Sequence, residues 1–239
     1  MPALLLATPP ATTSQSRAPA GCGGGWVLKV LVACEYSGRV RDAFLRRGHA
    51  AMSCDLLPTD APGPHYQGDV RDVLGESWDL LIAHPDCTRL TNAGVRWLMD
   101  PPPDKTLVQM WRGLFDGAEF YRLFKNAKHI PRRAIENPVM HKHARELIQP
   151  GRRQIVQPWW FGDPAFKATG FELIGLPDLV PTNKLTPPKP GTDEHKAWSA
   201  VHRASPGPLR WKLRSTTFPG IAEALADQYG GQIEMTQAA

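Results

Sequence analysis

Residues 26–48 contain WVLKVLVACEYSGRVRDAFLRRG, in which a near-continuous apolar run leads into a small-residue turn and then into a helical pattern. The run over residues 26–34 is typical of a strand buried on both faces of a parallel sheet. After the turn, apolar residues recur at helical spacing at Val40, Ala43 and Phe44, and a glycine follows the pattern as a helix stop. This order predicts the first strand-helix unit of a doubly wound α/β domain.

The alternation of strands and helices continues along the chain. HAAMSCDLL predicts a second strand ending at Asp55, and WDLLIAH and PRRAIEN predict two more. HKHARELI predicts a short helix, IVQPWWFGD and GFELIGL predict strands around a turn, and TFPGIAEALADQYGG predicts a closing helix. Residues 104–126 predict a long amphipathic helix. We expect the core face of that helix to consist of Leu107, Met110, Trp111, Leu114, Ala118, Tyr121 and Leu123.

Composition excludes several classes of protein. The chain has 239 residues, of which 42% are apolar and 21% charged, as is ordinary for a globular protein. No apolar run approaches the roughly 18 residues of a membrane span, so no membrane partner is expected. Four scattered cysteines without a Cys-x-x-Cys pair predict reduced thiols in a cytoplasmic protein, with neither disulfides nor bound metal. The net charge of +5 permits a nucleic-acid partner.

Composition shifts divide the chain into four parts. Residues 1–25, rich in Ala, Pro, Thr, Ser and Gly, predict a disordered leader. We expect an α/β domain over 26–182, a short basic segment over 183–214, and a closing helix with a C-terminal tail over 215–239. His141 and His143 have no third ligand at a suitable spacing, so we interpret them as surface or DNA-facing histidines rather than as metal ligands.

Polar residues follow the first strands. The turn at 35–38 opens a helix, where backbone N–H groups favour a nucleotide-like ligand, although an ordinary α/β turn would have the same sequence. Asp55 follows the second strand at a spacing that suits ribose hydroxyls. Asp69 follows a glycine and would accept from the exocyclic amine of adenine, or would serve only as a turn residue.

A cysteine and a glutamate follow two later strands. WDLLIAH leads into Pro85-Asp86-Cys87, and RRAIEN ends in Glu136-Asn137. Open α/β sheets bind ligands at the carboxyl ends of their strands. A thiolate nucleophile and a carboxyl group at neighbouring strand ends would together attack and protonate a flat heterocycle.

With these features in place, the sequence resembles the cytosine-C5 DNA methyltransferases, and more closely the short phage and prophage proteins of that family. The similarity spans residues 28–231. It rests on VLVACEYSGRVRDAF, CDLLP, HYQGDV, IAHPDCT, AIENPVMH, IVQPWWFG with the following KAT, and WKLRSTTFPGIAEALADQYG. The resemblance implies a Rossmann-like, S-adenosylmethionine-dependent methyltransferase fold and a DNA-modifying enzyme, as in restriction-modification, in the cytoplasm of a bacterial or phage-infected cell.

The resemblance also implies roles for individual residues. Cys87 would attack C6 of a flipped cytosine, Glu136 would hold N3 and the exocyclic amine, and C5 would take the methyl group before Cys87 is eliminated. Asp55 would hold the cofactor's ribose and Asp69 would lie near its adenine. The implied catalytic residues are Cys87, Glu136, Asp86, Asn137 and Arg89. The implied cofactor-binding residues are Cys34, Glu35, Tyr36, Ser37, Gly38, Asp55, Asp69 and Pro85. Gln154 and Lys167 would line the base pocket.

Two residues near the nucleophile depart from the family pattern. The family has Pro-Pro-Cys where this chain has Pro85-Asp86-Cys87, and an acidic neighbour raises the pKa of a cysteine. A pair between Asp86 and Arg89 would cancel that penalty. Alternatively, Arg89 would hold a donor that bears a carboxylate, or the chain would be a catalytically silent relative that binds DNA.

The region available for target recognition is very small. Residues 183–214 carry seven Lys and Arg against two acidic residues, with Trp198 and Trp211 interleaved. Such a segment is typical of phosphate contacts and base stacking, although a solvated basic loop has the same composition. We expect double-stranded DNA as the partner, with a short recognition sequence, relaxed specificity or help from a second subunit in a homodimer. The expected DNA-binding residues are Lys184, Lys196, Arg203, Arg210, Lys212 and Arg214.

Overall fold

The computed structural model describes residues 26–137, 139–208 and 210–231. The leader over 1–25 and the tail beyond residue 231, both predicted from composition, lie outside the described residues. In the described ranges, no helix is both long and apolar enough to cross a lipid bilayer.

The strands form one sheet of seven in the order β3-β2-β1-β4-β5-β7-β6. They are β1 Lys29–Ala33, β2 Ala50–Asp55, β3 His65–Gln67, β4 Leu80–Ala83, β5 Arg132–Glu136, β6 Arg153–Val156 and β7 Thr169–Ile174. Strands β1 to β5 pair in parallel, whereas β7 runs antiparallel to both β5 and β6. The carboxyl ends of β1, β2, β4 and β5 therefore lie side by side. They form one edge of the sheet, the edge made of strand ends rather than of an outer strand.

The described ranges contain nine α-helices. They are α1 Arg39–Arg46, α2 Arg71–Leu74, α3 Asn92–Val95, α4 Leu107–Lys125, α5 Lys142–Ile148, α6 Asp193–Trp198, α7 Ala200–Arg203, α8 Arg210–Ser215 and α9 Pro219–Gly230. Of these, α1 to α5 lie between strands, and α6 to α9 follow β7. Helix α4 begins with a capping box in which Thr106 accepts the backbone N–H of Gln109 and the Gln109 side chain accepts the backbone N–H of Thr106. Short 3₁₀ turns lie at Arg96–Leu98 and Pro158–Trp160.

Two apolar cores lie on opposite faces of the sheet. In β1, Leu31 and Ala33 pack with the core that contains α4 and α5 residues, whereas Val30 and Val32 pack with the core of α1 and α9. All four side chains are fully buried, which explains the near-continuous apolar run in the sequence. The strand order and the cores on both faces of the sheet confirm the prediction of a doubly wound, Rossmann-like α/β fold.

Two local predictions need correction, and the basic segment contains helices that the sequence did not predict. Leu107 is 47% exposed, because the first turn of α4 precedes its first core residue, Met110. The segment Pro158–Trp160 forms a 3₁₀ turn between β6 and β7 rather than part of a strand. Residues 183–214, which show no period in the sequence, contain three helices of six residues or fewer. Such short helices give too few turns for an apolar repeat to show.

A buried arginine fixes the loop between β2 and β3. Arg41 is fully buried and pairs with Asp42, and its guanidinium also donates to the carbonyls of Ala61 and Pro62 at 3.0 and 3.2 Å. Gly38 has φ +72°, and a Cβ there would lie 2.4 Å from the Arg41 guanidinium. The glycine at the start of α1 is therefore required by this packing as well as by its backbone conformation.

We expect Arg41→Met to lower the free energy of unfolding by about 3 kcal/mol, because it strands several buried acceptors at once. Arg46→Met serves as the matched control on the same helix, since Arg46 is exposed and its one ion pair among the described residues is with Glu223. The control is expected to cost less than about 1 kcal/mol. Equal losses in chemical denaturation would contradict a special role for Arg41.

Candidate active site

The turn after β1 is held together from within. Glu35 is buried, and its carboxylate accepts the backbone N–H groups of Val40 at 2.7 Å and Arg41 at 3.2 Å. It also accepts the Ser37 hydroxyl at 3.1 Å. Glu35 thus caps α1 through its side chain. Its carboxylate faces the protein, so contacts from this turn to a ligand would come from the backbone and from neighbouring side chains.

Carboxylates gather around Cys34, which has a positive φ of 58°. Burial raises the pKa of the Cys34 thiol far above its ordinary value, and the negative charges of Asp55, Asp69 and Asp86 add to the effect. The structure therefore brings the ends of β1, β2, β3 and β4 close enough for their acidic groups to act on one thiol. Cys34 itself stays protonated at neutral pH.

The two predicted cofactor carboxylates differ in their hydrogen bonds. Asp55 Oδ1 accepts the N–H of Leu57 at 2.9 Å, and no described residue bonds Oδ2. Asp69 uses both oxygens on Arg71, at 2.9 Å to its backbone and 2.7 Å to its guanidinium. That backbone bond is the main reason why the pKa of Asp69 lies below its ordinary value. Asp55 is therefore the better placed of the two to accept from a ligand hydroxyl.

Helix α8 and the residues after it lie against the β1 turn. The Tyr36 hydroxyl is within hydrogen-bond distance of the Ser215 and Thr216 hydroxyls, at 3.2 and 3.3 Å. The Tyr36 ring also lies 5.5 Å from the Trp211 ring. Arg39, which the sequence analysis did not single out, donates to the carbonyl of Thr217 at 3.0 Å. The end of the basic segment thus covers Tyr36.

Cys87, Glu136 and Lys167 form the centre of the site. Burial raises the pKa of the partly buried Cys87 thiol to about 11, with further contributions from the negative charges of Glu136 and then Asp86, whereas Lys167 lowers it. Burial lowers the pKa of Lys167, against the opposing charges of Glu136 and Cys87. Lys167 also donates to the carbonyl of Thr216 at 3.3 Å. A cysteine, a carboxylate and a cation are therefore electrostatically coupled at this edge.

Glu136 has a partner that the sequence analysis did not include among the site residues. His84 Nδ1 lies 2.9 Å from Glu136 Oε2, and the two side chains are 8% and 15% exposed. Burial alone would raise the pKa of Glu136, but the His84 hydrogen bond and the charge of Lys167 lower it overall. Glu136 is therefore a carboxylate at neutral pH. The sequence signal was available, since His84 directly follows the strand that leads to Cys87.

The expected pair between Asp86 and Arg89 does not form. Asp86 Oδ1 instead accepts the backbone N–H of Thr88 at 2.9 Å and the Thr88 hydroxyl at 2.5 Å, closing an Asx turn. The Arg89 side chain runs along α4, where a Cβ on Gly113 would lie 3.5 Å from its Nε. The charge of Asp86 therefore acts on Cys87 without compensation from Arg89.

His141 corrects the interpretation of a surface or DNA-facing histidine. It is 2% exposed and caps α5, with Nδ1 accepting the N–H of Ala144 at 3.1 Å. Its Nε2 donates to the carbonyl of Arg89 at 2.8 Å, and its backbone N–H donates to the carbonyl of Leu90 at 3.0 Å. His141 thus ties the turn after Cys87 to the segment after β5.

Of the remaining residues predicted for the site, some lie at the site and one does not. Pro85 is buried beside Cys87. Asn137 is fully buried, and neither polar atom of its side chain has a partner among the described residues. Gln154 faces away from the site and exchanges both amide hydrogen bonds with the backbone of Leu179. Of the two residues expected to line the base pocket, Lys167 is at the centre and Gln154 is elsewhere.

The six predicted DNA-binding residues have different environments. Lys196 pairs with Asp193, and Lys212 pairs with Asp60 at 2.8 Å. Arg210 donates to the carbonyl of Ala204, and the Lys184 ammonium lies 5.6 Å from the Trp159 ring centre. Arg203 and Arg214 are exposed. Arg214 lies close enough to Lys167 to lower its pKa.

The structure offers no alternative metal centre in the ranges it describes, where no three His, Cys, Asp or Glu side chains come together. His141 and His143 have ring centres 5.9 Å apart, but His141 already uses both ring nitrogens. Its hydrogen bonds therefore leave no nitrogen for a metal ion.

Comparisons with known proteins add little. No protein-family model matches the chain, and no curated protein matches its sequence. Among solved structures, the chain is similar to the Entamoeba histolytica methyltransferase EhMeth, with 12% sequence identity and a TM-score of 0.41. The match covers 67% of this chain and 58% of that one, so this chain spans less than two thirds of that structure. A likeness this weak carries no argument about function.

We expect Glu136→Gln and Asp86→Asn to lower the pKa of Cys87 from about 11, because each removes a negative charge that opposes the thiolate. The Glu136 variant should have the larger effect, since its charge acts more strongly on the thiol. The pH dependence of Cys87 alkylation by iodoacetamide, followed by mass spectrometry, measures the shift. Glu119→Gln, an exposed acid on α4, is the control and should change nothing. The reverse ranking would contradict this geometry.

Proposed function

We propose that this chain is an S-adenosylmethionine-dependent DNA methyltransferase that modifies C5 of cytosine through a covalent adduct with Cys87. The observation that carries the proposal is the coupling of Cys87 and Glu136, at the carboxyl ends of the neighbouring strands β4 and β5, to Lys167, which lies just before the antiparallel strand β7. A nucleophile and a carboxylate at such a position suit addition to a flat heterocycle. The sequence resemblance supplies the identity of that heterocycle.

Cys87 would act as the nucleophile. Its thiolate sulfur adds to C6 of a cytosine flipped out of the duplex, and the electrons of the C5–C6 double bond move into the ring. Lys167 favours the thiolate, and its side chain is held by the carbonyl of Thr216. After transfer, a base removes the proton from C5, the double bond re-forms, and Cys87 leaves as the thiolate.

Glu136 would hold the base. As a carboxylate it accepts a hydrogen bond from the exocyclic amine of cytosine. It also stabilises a proton on N3, which comes from water as electrons enter the ring and returns to water when Cys87 leaves. Thymine presents a carbonyl oxygen at the same position, which a carboxylate repels. The charge of Glu136 thus favours an amine-bearing pyrimidine.

The residues at the carboxyl ends of β1 and β2 fit a nucleoside cofactor. Asp55 keeps one oxygen open to a ribose hydroxyl, and the turn over 34–38 presents its backbone at the start of α1. Glu35 fits only as support, because its carboxylate caps the helix. S-adenosylmethionine, when bound here, supplies the methyl group that C5 takes.

Double-stranded DNA is the partner that the basic segment favours. Arg203 and Arg214 are exposed, and Arg214 lies near Lys167 at the proposed base pocket. The ion pair of Lys212 with Asp60 must open before Lys212 contacts a phosphate. We therefore assign a larger share of DNA binding to Arg214 than to Lys212.

One observation favours a second candidate, a catalytically silent relative that binds DNA or cofactor. The pKa of Cys87, at about 11, leaves its sulfur as a thiol at neutral pH, whereas the mechanism needs the thiolate. A methyltransferase must lower that pKa as its ligands bind. A silent relative has no such requirement.

A covalent trap distinguishes the two functions. Random-sequence DNA that contains 5-fluorocytosine should form an adduct with the wild-type chain that survives denaturation, because fluorine at C5 cannot leave as a proton does. The adduct should require S-adenosylmethionine and be lost in Cys87→Ser. Cys54→Ser, which alters a buried thiol in β2, is the control and should still trap DNA. A chain that binds this DNA but forms no adduct is the silent relative.

The salt dependence of DNA affinity tests the role of the basic segment. Each phosphate contact contributes about −0.9 to the slope of log affinity against log salt. We expect Arg214→Gln to flatten that slope by roughly one contact. Lys128→Gln is the control. Lys128 is exposed and lies just before β5 begins, at the end of the sheet opposite to the proposed site. Equal slopes for the Arg214 variant and the wild type would contradict the proposed DNA path.

A further inference from the structure

The His84 side chain has one described hydrogen bond, and it goes to the carboxylate that would hold the base. Its Nδ1 lies 2.9 Å from Glu136 Oε2. The side chain comes from the end of β4 and reaches across to the end of β5, the neighbouring parallel strand. The contact therefore joins the strand that leads to Cys87 with the strand that ends in Glu136.

The proton of this hydrogen bond lies on His84. Glu136 is a carboxylate and only accepts, so Nδ1 must carry the hydrogen. The other ring nitrogen, Nε2, is buried and has no partner in the part of the chain that the structure describes. A buried ring nitrogen without a partner is costly, which indicates that the site retains the imidazole for its bond to Glu136.

The charges around the pair are few. Lys167 also acts on the Glu136 carboxylate, and Cys87 is influenced by Glu136, Asp86 and Lys167. His84 is the only one of these groups with a described hydrogen bond to Glu136. Lys167 contributes charge, and it directs its hydrogen bond to the carbonyl of Thr216 instead. Orientation of the carboxylate therefore depends on His84.

We propose that His84 is a positioning residue that acts through Glu136: by holding Oε2 it turns Oε1 towards the base and preserves the negative charge that selects an amine-bearing pyrimidine. The inference rests on the proposed function for its substrate, but the His84–Glu136 contact exists without it. Two variants separate the hydrogen bond from the bulk of the ring. His84→Asn places an N–H where Nδ1 lies, whereas His84→Leu fills space without a donor.

The first measurement uses the protein alone. Without the His84 bond, the pKa of Glu136 rises, because burial is then opposed mainly by Lys167. A Glu136 carboxyl that takes a proton more readily opposes the Cys87 thiolate less. We expect His84→Leu to speed alkylation of Cys87 by iodoacetamide at pH 8 by about tenfold. That factor corresponds to a fall of about one unit in the pKa of Cys87, because only the thiolate reacts. His84→Asn should stay within about twofold of the wild type.

Three further variants test whether the effect of His84→Leu comes from the lost hydrogen bond to Glu136. His129→Leu removes another histidine hydrogen bond, to the carbonyl of Leu74, and should leave Cys87 alkylation unchanged. In a Glu136→Gln background, His84→Leu should have no additional effect, because the group through which it acts is gone. His84→Gln moves the amide towards Nε2 and away from Oε2. It should match His84→Leu and replaces it if the leucine variant does not fold.

The second measurement is methylation of DNA. His84→Leu should lower kcat by about tenfold or more with little change in KM, and His84→Asn should restore most of the rate. If neither His84→Leu nor His84→Gln changes the alkylation profile while both remain folded, the positioning role is overturned. If the wild type neither methylates nor traps DNA, the proposed function fails, and the alkylation arm still decides the role of His84.

Discussion

Burial of the central strands on both faces is the constraint on which the site depends. After the basic residues with which β1 and β5 begin, β1, β4 and β5 place apolar side chains in two opposite cores, which leaves little room for polar groups within the sheet. Polar groups concentrate where the strands end, and the parallel arrangement brings those ends to one edge. The same burial penalises charge at that edge, which is why it raises the pKa of Cys34 and Cys87.

Much of the fold was predictable because its signals are local. The apolar run before Cys34 marks β1, and the helical spacing at Val40, Ala43 and Phe44 marks α1. Arg41 lies inside that helix and is fully buried, yet nothing in its neighbourhood of sequence distinguishes it from a surface arginine. Its partners, Ala61 and Pro62, are 20 residues away in a loop without a period. Such long-range polar contacts have no signature in a single sequence.

In the candidate site too, the residues marked by local sequence signals were predicted, whereas their hydrogen-bond partners were not. Cys87 and Glu136 were found because one comes shortly after a recognisable strand and the other ends one, and the structure does couple them. The hydrogen bonds that set their behaviour were not found. The Asp86 carboxylate turns to Thr88 rather than Arg89, because an Asx turn needs a partner only two residues away. His141, which looked exposed in a polar run, is buried since the turn after Cys87 needs a donor for the carbonyl of Arg89.

The end of α8 and the two residues after it have a consequence of their own. Ser215 and Thr216 contact the Tyr36 hydroxyl, Thr216 also accepts from Lys167, and Thr217 accepts from Arg39. Three consecutive residues are thus fastened both to the turn after β1 and to the cation beside Cys87. A molecule that displaces this strap from one side loosens it on the other. By thermodynamic reciprocity, two ligands that both require the strap to move would assist each other's binding by the same factor.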